Sequence, residues 1–223
     1  MANHAYLGVW CRDFSEETML EQFRTLLETL PFSPGRPGCA SLVVRAVNPS
    51  EAPLVEVDLC GQWLPPEGVV ELAREHLNAD TAYEVTAFWD LWVLAAEGKW
   101  KLEPRAIELI CHGSDYDEGV WREIGHFQVD AGFEHLFTGH AGILGGQEES
   151  VVTTEHPAEA AFLASMTRPG NLREYHQKTC ENIKVLMDWV SRIEPTLPVE
   201  RYRLWSEGEE NFEARLDEIL AVR

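Results

Sequence analysis

Apolar and polar positions change period several times along the chain, and each change marks an element. In "AYLGVWC", Leu7, Val9 and Cys11 alternate with Tyr6, Gly8 and Trp10, the period-two pattern of a strand. From Met19 the spacing turns helical, with Met19, Leu20, Phe23, Leu26, Leu27 and Leu30 on one stripe. Ser15 stands where it would cap the free amides, Glu16 and Glu17 lie at the positive end of the helix dipole, and Phe14 would staple onto Met19. "PFSPGRPG" then stops the helix.

Two strands are expected next, "ASLVVRAV" and "PLVEVDL", joined by the turn-like "NPSEA". In the second, Val55, Val57 and Leu59 alternate with Glu56 and Asp58, so one face is apolar and the other wet. "LPPEGVVELAREHL" opens on prolines and places Val69, Leu72, Ala73 and Leu77 on one side, a short helix. "AYEVTAFWDLWVL" reads as a long strand whose Trp89 and Trp92 fall on opposite faces. The order within residues 1–95 is thus βαββαβ, the order of the ferredoxin-like folds, which host many unrelated activities.

Beyond it, "PRAIELICHG" and "GHFQVDAGF" form a second strand pair within residues 104–133, joined by the polar "SDYDEGVWREI". Helical spacing returns from Pro157. "RPGN" interrupts it, and Asn171 with Glu174 would form a capping box for a helix carrying Leu172, Tyr175, Thr179, Ile183, Leu186, Met187, Val190 and Ile193. "EPTLP" stops that helix, and a last one is expected from about Glu209. The expectation is an α+β fold: an antiparallel-rich sheet of ferredoxin-like order, extended by a hairpin and covered by C-terminal helices. Residues 1–148 would hold the sheet and 149–223 the helical part, packed on the same core and joined through the small, polar stretch 141–154. Their stripes also offer a surface for a homodimer.

Composition narrows the function. The 223 residues carry 18 basic and 38 acidic side chains, a net charge of −20. Such a surface repels phosphate backbones and anionic membranes, so neither nucleic acid nor membrane is an expected partner; a basic protein is. No apolar run is long enough to span a bilayer, and no secretory signal is expected, which points to a cytoplasmic protein. Five cysteines, an odd and widely spaced set, argue for buried reduced thiols rather than disulfides or a zinc ribbon.

The local motifs of several enzyme classes fail on inspection. "GHAGILGG" has neither the G-x-G-x-x-G nor the P-loop spacing, and "SDYDEGVW" has Val120 and His126 where a calcium loop needs Gly and Glu. The signatures of α/β-hydrolases, zincin proteases and zinc deaminases are also missing. One constellation remains, in "EIGHFQVDAGFEHLFTGHAGILGG" and the strand before it. If the connection is centred near Gly119, opposed residues have numbers summing to 238, so His112 faces His126 and Glu108 faces Asp130. These four share the polar face of the hairpin. Two opposed carboxylates are costly unless a cation lies between them or one keeps its proton, which suits a divalent metal or an acid/base pair. The bland account is a solvated face with ordinary histidines. No other cofactor is expected, and a soluble, acidic, non-catalytic binding protein is the leading expectation, with a metal-assisted or acid/base enzyme as the alternative.

Overall fold

The computed structural model describes residues 2–95, 98–140, 143–144 and 157–222. Seven strands form one sheet: β1 (His4–Cys11), β2 (Cys39–Ala46), β3 (Val55–Asp58), β4 (Thr81–Leu94), β5 (Trp100–His112), β6 (Phe127–Phe133) and β7 (Val199–Ser206). Their order is β3-β2-β4-β5-β6-β1-β7, and every pairing is antiparallel. The α+β class stands. The ferredoxin-like pairing does not describe this sheet. A split βαβ unit would keep the strands of residues 1–95 together. Instead β4 lies between β2 and β5, while β1 pairs with β6 and β7. The cause is local: β4 and β5 are joined by a short turn and stay in register from Ala82↔His112 to Leu94↔Trp100, which takes the side of β4 that another strand would need.

The helices are α1 (Met19–Glu28), α2 (Pro66–Arg74), the single turns α3 (Trp121–Ile124) and α4 (His135–Thr138), α5 (Pro157–Met166), α6 (Pro169–Ile193) and α7 (Phe212–Ala221). Helix α1 begins at Met19, where its stripe begins, but three residues later than a cap at Ser15 would start it, with Thr18 as its N-cap residue. The Thr18 hydroxyl instead accepts the Ser15 amide, closing a turn before the helix. Phe14, expected as a staple, stacks on the His126 ring at 4.1 Å. Likewise, the break at "RPGN" ends with Pro169 in the first turn of α6, and the Asn171 side chain donates to the Ser165 carbonyl rather than capping.

One face of the sheet is apolar. Leu7, Val9, Leu42, Val44, Val85, Trp89, Leu109 and Val129 join Phe23 and Leu27 of α1, Val69 of α2, Ile183, Leu186 and Trp189 of α6 and Leu216 of α7 in a single buried cluster. Trp89 meets Trp189 edge-on at 5.9 Å. Asn182 of α6 accepts the Trp92 amide at 2.7 Å and donates to the Trp92 carbonyl at 3.0 Å, so a side-chain amide stands in for the strand that β4 lacks there. The boundary proposed near residue 148 lies outside the described residues, as does most of the stretch 141–154.

Strand β7 was not anticipated. "VERYRLWS" buries only Leu204 and Ser206, because it is the edge of the sheet, and its two arginines hide the alternation. No helix among the described residues is long and apolar enough to cross a membrane. The cysteines there are free thiols, and burial pushes Cys11 and Cys39 up to about 12.

Candidate binding surface on the open sheet face

The principal helices α1, α2, α6 and α7 lie against the apolar face, so the opposite face carries its own side chains outward. The segment 113–126 folds over one end of it. Gly8 makes that approach feasible: a Cβ there would run into the Ile124 carbonyl oxygen. Gly125 completes the turn at φ +109, a backbone that side chains resist.

The β5–β6 register is the one that a connection centred on Gly119 requires, with Glu108↔Asp130, Leu109↔Val129, Ile110↔Gln128 and Cys111↔Phe127. The His112 amide in turn donates to the His126 carbonyl at 2.9 Å. The four candidate residues nevertheless separate into two pairs. Four residues of extended strand span roughly 13 Å, so the histidine pair stands well away from the carboxylate pair. Among the described residues no group of three or more His, Cys, Asp or Glu side chains is arranged to hold a metal ion.

Both histidines are buried by the 113–126 segment. His126 lies between the rings of Phe14 and Trp121, at 4.1 and 4.3 Å, and its Nδ1 accepts the Cys11 amide at 3.0 Å. That bond requires Nδ1 unprotonated, with the ring proton on Nε2. His112 packs on Tyr116, and its Nδ1 is 3.3 Å from the Gly125 carbonyl, which assigns the proton to Nδ1. Desolvation lowers both rings to about 4, with His112 adding repulsion on His126. They are neutral packing groups at ordinary pH.

The carboxylates lie on the open face. One cross-strand row runs Ser41, Thr86, Glu108, Asp130, Tyr6 and Trp205; the next runs Val43, Glu84, Ile110, Gln128, Gly8 and Arg203. Glu84 accepts from Arg45 at 3.0 Å. Asp130 accepts from His4 Nδ1 at 2.7 Å and from the Gly132 amide at 2.8 Å. Glu108 stands between them without a cation in ion-pair contact among the described residues. Desolvation first, then Glu84 and Asp130, push its carboxyl above the ordinary glutamate value. At the end of this row, the Tyr6 hydroxyl donates to Glu207 at 3.0 Å and its ring stacks on Trp205 at 4.4 Å. His4 and Tyr6, the partners that set this electrostatic pattern, come from the first strand, and nothing in the spacing of the hairpin signalled them.

Past the end of β6, His135 and His140 meet with ring centroids 4.1 Å apart, because α4 turns the chain back. The Tyr175 hydroxyl accepts the His140 amide at 2.9 Å, and desolvation holds His135 near 4. No family model, curated protein or solved structure matches this chain. The arrangement itself therefore carries the functional reading.

Proposed function

We propose that this chain is a non-catalytic binding protein whose open sheet face receives a basic protein partner. The observation that carries the reading is Glu108: a carboxylate at the centre of the face, flanked by Glu84 and Asp130, without a cation of its own among the described residues. A lysine or arginine from a partner would relieve that repulsion. The net charge of −20 supplies long-range attraction of the same sign. Tyr6 and Trp205 offer flat, partly exposed rings beside the carboxylates, the kind of side chain that anchors interfaces.

The test uses the purified chain and a Glu108→Arg variant as baits in its native lysate, with folding checked by circular dichroism. The expected result is one basic protein held near one-to-one by the native chain, released by salt and absent from the variant. Capture that the variant leaves intact, or captured proteins that are acidic, would refute the reading.

A further inference from the structure

Among the described residues the sheet ends in two unpaired edges, β3 and β7, and they differ. Strand β3 is only four residues long and carries Glu56 and Asp58. Strand β7 is eight residues long, and a cleft of about 770 Å³ opens along it, bounded by residues 202–206 of the strand, the turn 207–210 and the start of α7. Antiparallel pairing with β1 uses every second backbone group of β7. The Leu204 amide shows which set is left over: it donates outward, to Glu213 of α7 at 3.2 Å. By alternation, the backbone groups of Tyr202 and Ser206 also face the cleft.

Four carboxylates line this cleft, Glu207, Glu209, Glu210 and Glu213, against the single cation of Arg203. Glu209 is within 3.7 Å of Arg215, and Glu207 takes the Tyr6 hydroxyl. Glu210 and Glu213 are exposed, and Glu213 occupies the Leu204 amide, one of the outward groups that an added strand would use. A carboxylate there does what the carbonyl of a neighbouring strand does.

We infer that β7 is a β-augmentation site, which takes an extended, basic segment of a partner protein as an eighth strand. Main-chain bonds to Tyr202 and Leu204 supply the affinity, and the cleft carboxylates select lysine or arginine at alternate positions. The residues between those positions pass beside Trp205 and Arg203 and are apolar. This rests on the reading of the chain as a binder of basic proteins, and adds to it the edge and the conformation of the ligand.

The probe is a fluorescein-labelled nonapeptide of alternating lysine and valine, followed by fluorescence anisotropy. Its comparators replace lysine by glutamate or carry N-methyl groups on alternate backbone nitrogens. The lysine peptide should bind at least tenfold more tightly than either. Tyr202→Pro, which removes an outward amide and leaves the bonds to β1, should weaken it tenfold, and Glu210→Lys should weaken it severalfold. Glu56→Lys, on the opposite edge, should leave binding unchanged. Equal binding of the N-methylated peptide, indifference to Tyr202→Pro and Glu210→Lys, or no measurable binding would each overturn the inference. Failure here with Glu108-dependent capture intact removes the edge alone, whereas failure of both removes the binding reading as well.

Discussion

The two buried imidazoles should make this protein lose stability in mild acid by an amount that one substitution reduces. In the folded chain His126 and His112 are held near 4, whereas an unfolded histidine titrates near 6.5. A base with a depressed folded pKa binds its proton more readily in the unfolded state. Its neutral burial therefore costs nothing above pH 6.5, and stability is withdrawn as the pH falls from about 6.5 towards 4. At pH 5 linkage gives about 2 kcal/mol per ring, or about 4 kcal/mol if the two act independently. Urea denaturation at pH 7 and pH 5 measures the loss. The acidic surface works the other way, since protonating carboxylates relieves repulsion, so the informative quantity is the difference between native and variant proteins. His126→Asn keeps an acceptor for the Cys11 amide but cannot be protonated. It should lower stability at pH 7 through lost stacking on Phe14 and Trp121, yet reduce the pH 7-to-5 loss by about 2 kcal/mol. An unchanged pH dependence in this variant would refute the placement of a neutral, buried His126.

Other perturbations test other parts of the fold. Asn182→Ala removes bonds to both backbone groups of Trp92 and to the Leu136 carbonyl, and should cost about 3 kcal/mol, read as a lower urea midpoint. Gly8→Ala forces the 121–124 turn off the sheet face and should cost about 2 kcal/mol, with faster hydrogen exchange across residues 113–126. Glu108→Gln removes a like-charge contact with Asp130, so it should stabilise the free protein by about 0.5 kcal/mol at pH 7 while weakening partner capture. In a thermal-shift scan of the metal-stripped protein, divalent ions should give no shift that depends on His126, because its Nδ1 is bonded to the Cys11 amide.

Local elements were legible in the chain wherever their pattern answered to one buried face. Leu7, Val9 and Cys11 point to the core as alternation requires, and the stripe of Met19, Leu20, Phe23, Leu26 and Leu27 is the buried side of α1. The β5–β6 register followed from centring the connection near Gly119; the apolar set Leu109, Cys111, Phe127 and Val129 by itself excludes only a one-residue slip, which would have turned it outward. Strand order was not legible. No residue of β1 announces that its neighbours are β6 and β7 rather than a strand within the first 95 residues. Edge strand β7 was hidden for a related reason: with one face half-wet and one side unpaired, Arg201 and Arg203 are as acceptable there as in a loop. The candidate residues fared similarly. Alternation put His112 and His126 on the polar face, but the 113–126 segment covers that end, and burial by a folded-back loop has no period to read.

The position of β1 also sets a timetable. The strand at residues 4–11 is held on one side by residues 127–133 and on the other by residues 199–206. On the ribosome it emerges before either partner, and its second partner follows long after the first. At about 5–20 residues per second, the roughly 190 intervening residues take on the order of 10–40 s to translate. During that interval Leu7, Val9 and Cys11 have no completed sheet to join, and the contacts that finally secure them are among the most distant in the sequence. The β4–β5 ribbon can close as soon as its short turn is made. A nascent chain of this protein is therefore expected to build its sheet from the β4–β5 ribbon outward, with β1 among the last strands to settle.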